Sequence, residues 1–186
     1  MSSTKKILLS LIFLAAVIVG GFCYFTFRPH PNADYVTDIS ELDKLMSLKV
    51  ENTYPSTPRE VLKMYNRYLT VIYNEDLNDA QIKTLLEKQR VFYDSELLSV
   101  NTFEANYTSL VNDIALYRKS QKSIVKTSVA ASTEVTYKEV DGQSYAIMEA
   151  SYFIRSGAAD FTKTYERYLF RKDATGKWRI LGFEKI

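Results

Sequence analysis

Histidine and cysteine occur once each in this chain, and neither stands where a folded domain could use it. His30 lies between Pro29 and Pro31, which excludes a Ser-His-Asp relay or a histidine-ligated metal inside a domain. Cys23 sits within an apolar run, so neither an internal disulfide nor a cysteine metal site is available. Glycine is scarce: only 6 are present, and Gly20 and Gly21 fall in that same run, so no glycine-rich phosphate loop exists. Charge of one sign is missing too. The net charge of +2 comes from Lys5 and Lys6, and the remainder is neutral. A nucleic-acid partner, which needs a clustered positive excess, is excluded. These absences remove most hydrolase, nucleotide-dependent and metal chemistry. No cofactor is expected.

What is present begins with an anchor. Ile7 to Phe27 is 21 residues without a charge, and about 20 helical residues cross a hydrocarbon core. Lys5 and Lys6 precede the run, while Arg28, Asp34, Asp38 and Glu41 follow it, so the positive-inside bias places the N-terminus in the cytoplasm and the rest outside. No small-x-small cleavage site follows the apolar core, and Phe22 precedes Cys23 where a lipoprotein signal would carry Gly or Ala. The expected location is therefore the cell membrane, crossed once by an uncleaved helix, with an extracytoplasmic domain.

The chain then divides into a cytoplasmic tip and anchor at 1–27, a tether with one short helix at 28–56, and an α+β domain at 57–186. Thr57-Pro58-Arg59-Glu60 is a capping box that opens a helix carrying Val61, Tyr65, Tyr68, Leu69 and Ile72 on one stripe. Asn78 with Gln81 opens a second helix, ending near Phe92, and a third runs from Thr102 to about Gln121. After Lys122 the period changes to two. Val125, Thr127, Val129, Ala131, Thr133, Val135 and Tyr137 alternate with polar residues, and Asp141-Gly142 marks a hairpin turn. Strands over Gln143 to Arg155, Phe161 to Lys172 and Lys177 to Glu184 complete the expectation of three helices packed on a four-stranded antiparallel sheet.

The closing strand, Lys177-Trp178-Arg179-Ile180-Leu181-Gly182-Phe183-Glu184, resembles that of nuclear-transport-factor-2-like (NTF2-like) domains, as does the order of helices before a curved sheet. The chain also resembles an uncharacterised family of small anchored proteins from clostridia-type Gram-positive bacteria. The residues that carry this likeness are the Tyr54 to Val61 segment, Phe92-Tyr93-Asp94-Ser95-Glu96-Leu97-Leu98 and the Trp-Arg-Ile ending. The first resemblance implies a cone-shaped α+β domain. It also implies one of two kinds of work, a pocket enzyme of the ketosteroid-isomerase kind or a membrane-anchored scaffold like the assembly factors of secretion machines.

Glu149 alternates with Ile147 and Phe153, so it is a weak candidate for a base facing a cone interior. The alternative is a cross-strand pair with Arg167 or Lys126. Asp113 is a weaker candidate, on a helix face. Tyrosine is abundant, at 14 residues, and Tyr145, Tyr152, Tyr165 and Tyr168, in neighbouring strands, are the candidate binding residues. The expected function is a non-catalytic interaction or scaffold domain. Its partner is an envelope protein or a second copy of the chain, with the membrane contacted through residues 7–27. The other expectation is a pocket for a small apolar ligand, with isomerase-like chemistry and Glu149 as base.

Overall fold

The helices begin where side chains take up free backbone amides. Thr57 accepts from the Glu60 amide at 3.2 Å and Pro58 fills the first turn of α2 (Pro58–Asn74). Asn78 and Gln81 form a reciprocal capping box ahead of α3 (Asp79–Arg90), and Thr102 caps α5 (Phe103–Lys119). Two shorter helices add to these. Ser40 caps α1 (Glu41–Ser47), and Asp94 caps α4 (Ser95–Val100). This computed structural model describes residues 39–186, and one compact unit runs Ser40–Ile186. The end of the segment read as a tether therefore contributes to the domain: Leu45 and Val50 are buried in its core.

The sheet is wholly antiparallel and contains β1 (Lys122–Val129), β2 (Thr136–Val140), β3 (Gln143–Ser156), β4 (Asp160–Lys172) and β5 (Trp178–Lys185). The order is β1-β3-β4-β5, and β2 also pairs with β3. β1 runs along residues 150–156 of β3 and β2 along residues 143–147, so the two are collinear on the same edge. Asp141 and Gly142 both take positive φ, 50° and 75°, the backbone a two-residue hairpin turn requires.

Ala146, Met148, Ala150 and Tyr152 of β3, Tyr168 and Phe170 of β4, and Trp178 and Ile180 of β5 form the buried face of the sheet. With Leu62, Tyr65, Tyr68 and Ile72 of α2, and Leu85 and Leu86 of α3, they make one core. Fully burying such a side chain contributes about 1.5–3 kcal/mol, so the core holds without a covalent staple. The opposite face carries Glu149, Phe153, Phe161 and Tyr165, all exposed.

Side chains cover part of each edge of the sheet. Asn74, at the end of α2, donates to the Ile124 carbonyl at 2.8 Å and accepts the Ile124 amide at 2.9 Å. Arg59, in the first turn of the same helix, donates to the Ala130 carbonyl at 2.9 Å. At the other edge Tyr54 donates its hydroxyl to the Trp178 carbonyl at 2.7 Å, and the segment after α3 bridges to Ile180.

These observations correct the expected fold. The predicted membrane-spanning helix at Ile7 to Phe27 lies outside the described residues, and among the described residues no helix is long and apolar enough to cross a membrane. The α+β class is right, but a four-stranded, three-helix NTF2-like cone is not what forms: the described residues hold five α-helices and a five-stranded sheet. The fifth strand arises because the alternating segment from Val125 to Tyr137 does not stay extended. A 3-10 turn over Ser132–Glu134 lifts it off β3, with the Glu134 carboxylate accepting the Ala131 amide at 2.6 Å. Of the two shorter helices, α1 is the one expected in the tether, with Leu45 buried, whereas α4 buries nothing and so lacks the apolar period that would reveal it.

Candidate functional site

β3 and β4 divide the predicted tyrosines between the two faces of the sheet. Tyr152 and Tyr168 point into the core, 3% and 0% exposed. Tyr145 lies opposite Arg171, half-buried, and Tyr165 lies 41% exposed opposite Ser151, both on the outer face. Glu149 shares that outer face. Its carboxylate receives two hydrogen bonds from Arg167, the closer at 2.9 Å, so the cross-strand pair is the arrangement present. Arg167 also reaches Glu184 at 3.5 Å. A depression of about 380 Å³ beside these residues is open to solvent, and its charged groups are already paired.

Between the inner face of the sheet and the helices lies a different space, about 300 Å³ in volume and open to solvent beside Ser109, Asp113 and Phe183. α2 supplies Tyr65 and Tyr73, α3 supplies Gln89, and Tyr93 follows α3. α5 contributes Asn106 and Asp113, while Glu166 and Tyr168 of β4 and Phe183 of β5 form the floor. Glu166 reaches this face by register. It pairs with Ala150, and the even-numbered residues of β3 and β4 point inward. Glu166 and Asp113 are the carboxylates of the lining, which contains no lysine or arginine.

A chain of polar contacts runs from this cavity into the core. Tyr168 donates its hydroxyl to Glu166 Oε2 at 2.5 Å. The Tyr152 and Tyr168 hydroxyls are 2.6 Å apart, and Tyr152 Oη is 3.0 Å from the amide oxygen position of Asn66. Each phenol carries one proton. With the Tyr168 proton given to Glu166, all three contacts are made only when Tyr152 donates to Tyr168 and itself receives the Asn66 amide N–H. That orientation also gives a partner to the Asn66 nitrogen, which has none in the opposite one. Gln89, 3% exposed, keeps its amide nitrogen without any partner.

Burial raises the Tyr65 and Tyr168 hydroxyls well above their ordinary range, and neighbouring phenols and Glu166 push in the same direction. Tyr73 is also raised, first by burial and then by the charges of Asp113 and Glu166. The phenols therefore stay protonated and act as hydrogen-bond donors. Among the described residues no three His, Cys, Asp or Glu side chains gather to hold a metal ion.

A second polar centre lies at the β5 edge. Asp94 caps α4 through the Glu96 amide at 2.9 Å and accepts two hydrogen bonds from Arg171, one of them at 3.0 Å. Burial alone would raise this carboxyl, but the Arg171 guanidinium and the Glu96 amide outweigh it and hold it below its usual value. Every partner here is satisfied within the chain, so this centre ties α4 to the sheet.

Sequence reasoning missed Glu166 and Gln89. The available signal for Glu166 was its place in the series Glu166, Tyr168, Phe170, two residues apart in a strand whose other series contains Lys163, Arg167 and Arg171.

Over residues 1–183 the chain matches the family described as Domain of unknown function (DUF6715), and it belongs to that family. No curated protein matches it. Among solved structures it is similar to the solution structure of a SEC-C motif containing protein from Rhodopseudomonas palustris. The two are 16% identical with a TM-score of 0.45, over 77% of this chain and 91% of that one.

Proposed function

We propose that this member of the DUF6715 family is a non-catalytic recognition domain, held at the extracytoplasmic surface of a bacterial membrane through residues 7–27, whose internal cavity takes a small ligand. The observation that carries the reading is a cleft of about 300 Å³ between α2, α3, α5 and the sheet, lined by the polar side chains of Tyr65, Tyr73, Gln89, Asn106, Glu166 and Tyr168. Its volume lies at the lower end of the size range of small-molecule sites. A polar ligand finds hydrogen-bonding partners there. The expected apolar ligand fits less well, because phenols, amides and carboxylates line the space.

Glu149 has no part in this site, since it faces the other side of the sheet in a pair with Arg167. Support for a non-catalytic role comes from the sequence, which places no histidine or cysteine after Arg28 other than His30. Native mass spectrometry of the full chain, released gently from its own membrane, tests the reading. A bound small molecule of defined mass that is lost in Gln89→Leu is the expected result, and a bare chain under all conditions counts against it.

A second reading, docking of an envelope protein or a second copy, is favoured by Phe153 and Phe161, whose rings stack at 5.1 Å on the outer face and are exposed among the described residues. Under this reading Phe153→Ser with Phe161→Ser removes a crosslinked partner or an oligomer while the cavity ligand stays bound.

A further inference from the structure

We infer that the outer face of the sheet, at the end near the β3–β4 turn, rests on an anionic lipid surface, seated by exposed aromatic rings and held by Lys126, Arg155 and Lys163. The inference rests on the reading that residues 7–27 anchor the chain, and it gives this face a lipid partner in place of a protein one. Strand register gathers the residues. Phe153 of β3 stands between Lys126 of β1 and Lys163 of β4, and Arg155 pairs with Phe161. Tyr165 is the next residue of the same series in β4, and Val125 turns outward at the irregularity in β1 beside Lys126. All seven are exposed.

The charges of this patch are of one sign. Lys126, Arg155 and Lys163 take part in no ion pair among the described residues. Lys163 lies over the Tyr165 ring at 4.8 Å, which sets its ammonium among the aromatic side chains. The carboxylates of the face, Glu149 and Glu184, both turn to Arg167, farther along β4. Asp160 pairs with Ser156 and belongs to the other series of its strand. A second copy laid on the patch would bring the same three cations against them. A lipid surface offers mobile anionic headgroups to all three at once, and aromatic rings flanked by basic side chains suit the boundary between headgroups and acyl chains.

Chain length keeps such a surface within reach. Eleven residues, 28–38, lie between the anchor and the first described residue, a span of at most about 36–40 Å. A domain of this size has a radius of gyration of about 15 Å. The tether is therefore long enough for the outer face to turn toward the bilayer and too short for the domain to leave it.

Brominated lipid tests this on the full chain reconstituted in vesicles. Phe161→Trp serves as the reporter, because the native Trp178 is buried, and Phe153→Trp repeats the measurement from the neighbouring ring. One set of vesicles is phosphatidylcholine, and the other is an equal mixture of phosphatidylcholine and phosphatidylglycerol, both with bromine on the acyl chains. Reporter emission should be quenched about twofold or more by the mixed vesicles relative to the neutral ones, and molar salt should remove the difference. Lys126→Gln, Arg155→Gln and Lys163→Gln together should remove it as well. Lys44→Gln, Lys63→Gln and Lys83→Gln, on the helices, should leave it intact. All six lysine and arginine sites are exposed, so the variants should fold, which circular dichroism checks. Equal quenching in both vesicles, or quenching that survives the first triple variant, overturns the inference. A reporter that stays unquenched in a chain that floats with the vesicles after an alkaline wash also overturns it, leaves the anchor standing and gives the face to a protein partner. A chain that does not float overturns the anchor and this inference with it.

Discussion

Tyr93 and Ile180 are bridged in parallel: the Ile180 amide donates to the Phe92 carbonyl and the Asp94 amide donates to the Ile180 carbonyl, each at 2.8 Å. Three residues after α3 thus serve as a short extra strand on β5. The bridge places the Tyr93 ring in the cavity wall and Asp94 beside Arg171.

Removing Asp94 tests that tie. Asp94→Ala leaves the Arg171 guanidinium with only the exposed Glu96 carboxylate, 3.2 Å away, and the expected loss is about 2–4 kcal/mol. This is below the figure of about 3–5 for a fully buried pair because Arg171 keeps 24% of its side chain in water. A double-mutant cycle with Arg171→Met, read by urea unfolding, should show a coupling of at least about 1 kcal/mol. The pH dependence has a fixed sign. Asp94 titrates below its ordinary value of 3.8 when folded, so its contribution is full above that value and is lost as the pH falls through the lower, folded one. The slope of stability against acid pH should flatten in Asp94→Asn.

Tyr168→Phe removes the central link of the chain from Asn66 to Glu166. It removes the donor to Glu166 and one of the two partners of the Tyr152 hydroxyl, which keeps the Asn66 amide at 3.0 Å, at an expected cost of about 0.5–1.5 kcal/mol. Tyr152→Phe should cost a similar amount, and the double variant less than the sum, because the two hydroxyls are 2.6 Å apart and serve one network. Additive losses in thermal or urea unfolding would show that the contacts act independently.

Tyr68 makes the opposite prediction. It is fully buried, its hydroxyl has no partner, and burial pushes that hydroxyl up to about 12. Tyr68→Phe keeps the ring and deletes the unsatisfied group, so it should stabilise the domain by about 0.5–1 kcal/mol. A loss of stability would mean that the hydroxyl finds a partner in solution.

Two truncations locate the domain boundary. A fragment of residues 40–186 should melt as the full chain does. One that starts at Thr57 loses buried Leu45 and Val50 and the bond from Lys88 Nζ to the Leu48 carbonyl at 2.6 Å. The expected deficit is about 3–6 kcal/mol from the two apolar side chains alone, enough to unfold a marginal domain.

The sequence made the starts of the long helices legible because Thr57, Asn78 and Thr102 announce themselves by capping chemistry that needs only local residues. The hairpin at Asp141-Gly142 was legible for the same reason. Other features depend on what lies across the sheet. In β1 the register shifts between Ile124 and Lys126, so Ile124 turns inward and Val125 outward, against the simple alternation. β3 has apolar residues in both of its series, Ile147 and Phe153 in one and Ala146, Met148 and Ala150 in the other. Alternation alone could not tell which series faced in. Glu149 was therefore singled out, while the inward carboxylate of the same sheet is Glu166. Gln89 falls on one stripe with Ile82, Leu85 and Leu86, which signals burial, but an amide on a helix looks the same whether its partner is present or absent.

The grip of α2 on β1 limits how this domain can be joined to others. Ile124 already spends both of its outward backbone groups on Asn74, and the carbonyl of Ala130 is taken by Arg59. An incoming strand laid along β1 would have to displace a helix that also carries much of the core, and the far edge is occupied at Ile180. Growth by strand addition, the common route from an open sheet to a fibre or a swapped dimer, is thus obstructed along β1 and at Ile180. The stretch of edge left to an incoming strand is β2, five residues long and exposed throughout, which confines any such addition to one short segment.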